Sequence, residues 1–211
     1  MLEKLREPVN SLTHWAGAVL ASIGLIALLF IGSDTSAKLI SLLIYGVSLI
    51  FLFSASATYH MVQVKENVLE IFRKIDHAAI YCLIAGTYTP FCVNVFSGFW
   101  SWGLLSIIWT LALVGIITKL FYIRAPRWLN AGIYLVMGWL CISAVGQMLA
   151  LLPVWVLGWL IVGGLLYTFG AIVYITKIFN FVPGTFGFHE IWHIFVILAA
   201  SAHFVAVLGV A

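Results

Sequence analysis

Charged residues fall in short clusters along the chain, and the segments between them are long and apolar. A helix needs about 20 apolar residues to cross the hydrocarbon layer of a bilayer. The charge-free segments 77–118 and 128–176 are each long enough for two crossings, which the turn at 97–101 and the proline at 153 divide. The pattern predicts seven transmembrane helices, at residues 13–31, 39–60, 76–95, 101–119, 128–149, 155–176 and 188–209.

Composition agrees with a membrane protein. The 211 residues are 64% hydrophobic and 8% charged, which is more apolar surface than a small soluble core could bury. The sequence therefore predicts an all-α, polytopic membrane protein in which residues 1–211 form a single seven-helix domain. Cys82, Cys92 and Cys141 form no CxxC pair and so indicate neither a disulfide framework nor a thiolate metal site. The scattered net charge of +3 gives no sign of a nucleic-acid partner.

The basic residues predict the orientation of the bundle. Nine of the ten lysines and arginines fall on one side of the predicted membrane, and only Lys38 falls on the other. Lysine and arginine concentrate in cytoplasmic loops. The N-terminus is therefore predicted to be cytoplasmic and the C-terminus to lie outside. The longest hydrophilic loop, residues 62–75, is expected to form a brief helix on the inner surface. The nine are Lys4, Arg6, Lys65, Arg73, Lys74, Lys119, Arg124, Arg127 and Lys177.

Ionisable and other polar side chains collect at the cytoplasmic ends of several predicted spans. Such groups are costly at membrane depth and usually have a partner or a function. They come from segments remote in sequence, yet the topology brings them to one depth. They are Glu7, Asn10 and His14 at span one, His60 at span two, Asp76 at span three, and His189 and His193 at span seven.

The histidines have the spacing of metal ligands. His189 and His193 are four residues apart, so both imidazoles share one helix face, and His60 can supply a third ligand. Three neutral imidazoles leave a tetrahedral zinc ion one open position for a water. Ser56, one turn before His60, and Asp76 are the candidate groups for hydrogen-bonding that water or a ligand. The alternative is that these histidines only hydrogen-bond a neighbouring helix. Asp76 would then be a helix cap or part of a surface ion pair.

Two further features allow more than one interpretation. Glu7, Asn10 and His14 form one polar helical stripe, which would either support the site from behind or be a solvated helix face. Residues 189–193 also match the HExxH pattern of zinc proteases, with Glu190 as the base. An intramembrane metalloprotease would usually need a further carboxylate ligand from an Asn-Pro-Asp-Gly-like segment, which the sequence lacks, so Glu190 has little weight as a catalytic group.

Four motifs together resemble the hemolysin III proteins of the progestin and adipoQ receptor superfamily, which includes the adiponectin receptors. They are Glu7-Pro8-Val9-Asn10 with His14, Ser56-Ala57-Thr58-Tyr59-His60, Asp76 at the start of span three, and the pair His189 and His193. The resemblance covers the whole chain. It implies zinc bound by the three histidines, with Ser56 and Asp76 close to the metal water. It also implies a bacterial plasma-membrane location and kinship with alkaline ceramidases.

The residues and the resemblance together predict a zinc-dependent hydrolase of lipid amides, with membrane lipids as its partners. In this hypothesis Asp76 carries the proton from water to the leaving amine, and Ser56 orients the water or the oxygen of the tetrahedral intermediate. Two other functions remain open. One is a receptor or regulator of membrane state in which zinc is structural, and the other is the pore-forming cytolysin that the family name implies.

Overall fold

A computed structural model of the chain describes residues 5–32, 34–182 and 185–211, so Lys4 lies outside the described residues. Within them the regular structure is helical, apart from an isolated antiparallel bridge between Val182 and Phe186. The helices are α1 (Pro8–Ile31), α2 (Ser36–Met61), α3 (Glu66–Asn94), α4 (Phe99–Phe121), α5 (Arg127–Trp139), α6 (Val145–Leu151), α7 (Val154–Thr176) and α8 (Phe188–Leu208).

Among the described residues, six helical segments are long and apolar enough to cross a membrane. The short helices α5 and α6 count as one of these segments, joined by the 3-10 turn Leu140–Ala144. The all-helical prediction and six of its seven spans therefore have apolar helices in the structure. The six are Pro8–Ile31, Ser36–Met61, Phe99–Phe121, Arg127–Leu151, Val154–Thr176 and Phe188–Leu208.

Helix α3 is not among those six, although it is the longest helix at 29 residues. It begins at Glu66, ahead of the predicted span, so the expected surface helix is its first turns. The middle of α3 is buried, with Ala79, Ala85 and Cys92 fully covered by neighbouring helices. A helix surrounded by protein can carry polar residues, which explains its lower hydropathy.

The fifth predicted span is broken by a tyrosine from α3. The Tyr88 hydroxyl lies 2.8 Å from the carbonyl oxygens of both Met137 and Gly138, and it accepts a hydrogen bond from the Cys141 N–H at 2.8 Å. A side chain inserted into a helix in this way replaces backbone hydrogen bonds. The helix can then kink without water, because the freed backbone groups still have hydrogen-bond partners. The connection between α5 and α6 is therefore stabilised by the Tyr88 side chain and not by continuous α-helical hydrogen bonds.

Helices α2 and α3 approach closely at Gly86. A Cβ added there would lie 2.9 Å from the Ser48 Cβ and would also overlap the Ser48 hydroxyl. We expect Gly86→Ala to destabilise the protein by about 1–3 kcal/mol, because the packed helices must separate. Gly158→Ala in α7 is the matched control, since nothing lies within 4 Å of its added Cβ. Unfolding midpoints of the two purified variants test this prediction, and equal midpoints would contradict it.

Candidate metal centre

Three imidazoles meet at one end of the bundle, here called the histidine end. His60 lies in the last turn of α2, and His189 and His193 lie in the first two turns of α8. One ligand nitrogen from each ring can be chosen so that all three lie within 4.8 Å of one another. His60 and His193 are 1% and 3% exposed. The three histidines thus form a group that could hold a metal ion.

The chemistry of these nitrogens fits a bound cation. Nδ1 of His60 lies 2.6 Å from the Glu7 carboxylate, which leaves Nε2 of His60 as its ligand atom. Nδ1 of His193 is buried and has no hydrogen-bond partner among the described residues. A buried polar atom without a partner is costly and rare in native structures. Neutral imidazole is a ligand for zinc, copper, iron and nickel, so a transition metal would satisfy the cluster.

A carboxylate and an amide support His60 from behind. Asn10 Nδ2 donates to Glu7 Oε2 at 3.0 Å and to Glu190 Oε1 at 2.9 Å. Burial alone raises the pKa of Glu7, but its hydrogen bond with His60 and the charge of that ring outweigh this and hold the pKa at about 2. An ionised Glu7 fixes the tautomer and orientation of the His60 ring.

The segment before α1 is fastened to the end of α2. The Glu7 N–H donates to the His60 carbonyl at 3.0 Å, and the Arg6 guanidinium donates to the Tyr59 carbonyl at 2.8 Å. The same guanidinium lies 4.3 Å from the centre of the Tyr59 ring. The position of Glu7 beside His60 therefore depends on backbone and side-chain contacts together.

Glu190 has a structural position in α8. Its Oε2 accepts a hydrogen bond from the Gly187 N–H at 2.8 Å, and its Oε1 accepts from Asn10. This is the glutamate half of a capping box, in which the third residue of the helix accepts from the N–H of the N-cap residue, here Gly187. Both oxygens are engaged, so the HExxH pattern reflects a helix start whose glutamate also holds Asn10.

His14 brings a fourth imidazole to the cluster. Its ring centre lies 3.9 Å from that of His193 and 5.2 Å from that of Phe53. Asn10 and His14 are 0% and 3% exposed. Asn10 and His14 are thus buried beside the histidines, while Glu7 is partly exposed and bonds His60.

Ser56 and Asp76 occupy the same wall as the histidines. Both line a cavity of about 430 Å³ that also contacts His60, His189 and His193. Ser56 reaches this wall from α2 and Asp76 from α3, two helices that pack against each other. The structure therefore brings all of the predicted site residues to one end of the cavity or directly behind it.

The rest of the cavity is mostly apolar and runs towards the opposite end of the bundle. Its wall there includes Phe96, Cys141 and Met148, and the Tyr88 hydroxyl contacts the helix break beside it. His203, midway along, approaches the Leu160 carbonyl at 3.3 Å and does not belong to the metal-binding group. A ligand in this cavity would have one polar end and a long apolar part.

Sequence reasoning missed several cavity residues at the histidine end. Arg73 and Arg127 line the cavity, although their positions suggested only the charge of an inner loop. His77 also lines it and lies 3.3 Å from the Tyr134 hydroxyl. The one signal in the sequence was that Arg73 precedes Asp76 by nearly one helical turn.

The Glu7 contact gives a prediction for metal affinity. We expect Glu7→Gln to weaken metal binding by roughly 10–100-fold, because an amide holds the His60 ring less firmly than a carboxylate. Glu66→Gln is the control, since Glu66 is exposed at the start of α3. Titration of the metal-free proteins against a competing chelator measures the effect, and equal affinities for the two variants would refute the supporting role of Glu7.

Comparison with known proteins agrees with this architecture. The family model described as Haemolysin-III related matches residues 2–204. The Hemolysin-3 homolog of Bacillus subtilis is 39% identical over 206 residues, covering 96% of this chain and 92% of the relative. Hemolysin-3 of Bacillus cereus is 38% identical over 206 residues, covering 96% and 90%. The adiponectin receptor protein of Drosophila melanogaster is 31% identical over 156 residues, covering 64% and 34%.

A helical membrane bundle with a histidine group at one end is thus the class of protein that the fold and the site define. The chain belongs to the Haemolysin-III related family, and its similarity extends to an adiponectin receptor. The predicted resemblance is confirmed. The chain is an integral membrane protein, and its Bacillus relatives indicate the plasma membrane of a bacterium.

Proposed function

We propose that this protein is a zinc-dependent hydrolase of lipid amides, with zinc held by His60, His189 and His193. The observation that carries the proposal is the shared cavity. The three imidazoles, Ser56 and Asp76 face one end of a space that is otherwise apolar. An amide at the headgroup end of a lipid fits such a space, with its acyl chain in the apolar part.

Three histidine ligands are the set found in catalytic zinc sites that keep one position open. When bound, zinc would polarise the amide carbonyl and make a coordinated water acidic enough to react near neutral pH. Glu7 would keep the His60 ring in its ligand orientation throughout, because its carboxylate stays ionised.

Asp76 and Ser56 supply the proton transfer and orientation that hydrolysis requires. Asp76 would accept a proton from the attacking water and return it to the amine nitrogen that leaves. Ser56 would donate its hydroxyl hydrogen to the carbonyl oxygen as negative charge develops there. The apolar walls exclude bulk water, which strengthens both interactions.

We also propose that the bundle has seven spans, with α3 as the seventh and the N-terminus in the cytoplasm. A helix of 29 residues is about 43 Å long, which is enough to cross a bilayer. Its polar residues are tolerated because its middle is packed within the bundle. Cysteine accessibility at the two ends of α3, measured in intact cells, tests this topology.

Fatty-acid release tests the hydrolase. Purified protein in lipid nanodiscs would be given ceramide and other N-acyl lipids, with and without added zinc. We expect zinc-dependent release by the wild type and none by the variant in which His60, His189 and His193 are all alanine. No release by zinc-loaded wild type, or equal release by this variant, would overturn the proposal.

A structural metal is the second candidate, since the histidine group joins α2 to α8 and contacts α1 through Glu7 and His14. A receptor or regulator of membrane state would need no more than this connection. It predicts that chelation lowers the unfolding midpoint while no lipid is hydrolysed. The release assay and a thermal scan of the same samples therefore distinguish the two functions.

A further inference from the structure

Two arginines at the histidine end line the cavity, unlike most other basic residues at this end of the bundle. Arg73 and Arg127 line it, whereas the described cations Lys65, Lys74, Arg124 and Lys177 do not. A general excess of positive charge in inner loops predicts basic residues at this end but not their direction. We call Arg73 and Arg127 the arginine pair.

Aromatic rings hold Arg127 without neutralising its charge. Its guanidinium carbon lies 5.4 Å from the centre of the Tyr174 ring and 5.2 Å from that of Phe188. Cation–π contacts of this kind orient the planar guanidinium group but supply no negative charge to balance it. Among the described residues, Arg127 makes no ion pair with a carboxylate.

Arg73 faces the same region from α3. Arg73, Arg127, Asp76 and Tyr174 all line the cavity. In the described part of the chain Arg73 also has no carboxylate at ion-pair distance, because Glu70 pairs with Lys74 and Arg124 instead. Of the two carboxylates that line the cavity, Glu7 already pairs with Arg6 at 3.4 Å and with His60 at 2.6 Å, which leaves Asp76 opposite the two guanidinium groups. Among the described residues, the lining at this end therefore has more unpaired positive than negative charge.

A third cation lies behind the pair. Lys119 is 2% exposed and bonds the neutral side chain of Asn130, which itself lines the cavity. Lys119 is the only one of the three cations that is fully buried, and a buried positive charge without a matching anion is unfavourable in the free protein. A ligand with about two negative charges would balance the three cations together with Asp76.

We propose that the arginine pair binds the phosphate group of a lipid whose acyl chain occupies the apolar part of the cavity. Guanidinium forks match phosphate oxygens in pairs, and a phosphate monoester carries close to two negative charges. This deepens the proposed function and rests on it for turnover: the lipid amide that is hydrolysed carries a phosphate group. Binding of the phosphate does not itself require the metal.

Equilibrium binding of two matched lipids tests the proposal. Fluorescent ceramide 1-phosphate and the same ceramide without phosphate would be titrated with purified full-length protein in neutral detergent. The variants are the double change Arg73→Gln and Arg127→Gln, the charge-keeping change Arg73→Lys and Arg127→Lys, and the control Lys65→Gln and Lys177→Gln. The control removes the same charge from exposed residues outside the cavity.

We expect the wild type and the lysine-to-glutamine control to prefer the phosphorylated lipid by roughly tenfold or more, and the arginine-to-glutamine variant to lose the preference. The arginine-to-lysine variant should lie between them, which keeps the test valid if the glutamine variant is unstable. Equal affinity for both lipids in the wild type would overturn the proposal. Equal losses in the control variant, or binding of inorganic phosphate without any preference between the lipids, would overturn it too.

The alanine variant of the three histidines separates this proposal from the hydrolase. If that variant keeps the preference for the phosphorylated lipid, the phosphate site stands whether or not the wild type hydrolyses amides. If the histidine variant folds and loses the preference, the arginine pair does not bind phosphate independently, and the inference is wrong. Unfolding midpoints of every variant accompany the titrations.

Discussion

Changing His60, His189 and His193 to alanine is expected to reduce the zinc content of the purified protein from about one ion per chain to background. The reason is the ligand set: Glu190 caps α8 and Glu7 holds His60, so neither carboxylate is free to replace an imidazole. Elemental analysis of protein washed with a weak chelator measures the content. We expect the same loss for iron or copper if the cells supply those metals instead.

His203→Ala is the control for this variant. It removes a buried imidazole from α8 that is outside the metal-binding group, and it should leave the zinc content unchanged. Zinc retained by the triple variant would show that the metal binds elsewhere. A wild type without any transition metal, even after zinc is added, would remove the basis of both candidate functions.

Asp76→Asn is expected to lower the rate of lipid amide hydrolysis by about 10²–10⁴-fold. The amide is nearly the same size as the carboxyl group, but it cannot accept and return the proton. The zinc content should stay at the wild-type level, because Asp76 is not in the metal-binding group. Initial rates at saturating zinc measure the effect.

Asp34→Asn tests whether the loss is specific. Asp34 is exposed in the segment between α1 and α2, pairs with Lys38 at 3.0 Å, and does not line the cavity. Its variant should hydrolyse lipid at the wild-type rate. If Asp76→Asn hydrolyses lipid at the wild-type rate, Asp76 does not transfer the proton. If the variant loses zinc together with activity, Asp76 supports the metal site and the proton-transfer role is wrong.

The sequence predicts most helix ends well, because each end coincides with a local signal. Pro153 separates α6 from α7, and the turn at Gly98 precedes α4. The break at Leu140–Ala144 has no such signal in the sequence, since these five residues include neither proline nor glycine. Its cause is Tyr88, which is remote in sequence and reaches the backbone only in the folded bundle. Periodicity cannot predict an interaction of this kind.

The candidate site shows the same division. The spacing of His189 and His193 follows from the helical repeat, and the common depth of His60 follows from the length of its span. The bond from Asn10 to Glu190 and the packing of His14 against His193 depend on how α1 meets α8. Arg73 and Arg127 were missed because loop charge already explained them, and only the cavity reveals the direction of their side chains.

The contacts of Arg6 and Glu7 with the end of α2 have a practical consequence for experiments on this protein. Arg6 and Glu7 donate hydrogen bonds to the carbonyls of Tyr59 and His60, and Glu7 also orients the His60 ring. We therefore expect metal binding at the histidines and attachment of the segment before α1 to be thermodynamically linked. An affinity tag fused before α1 that disturbs these contacts is expected to lower the affinity of the histidines for a metal. A tag on the carboxyl-terminal side of α8 avoids this contact, and metal binding by the two tagged forms can be compared to detect damage to it.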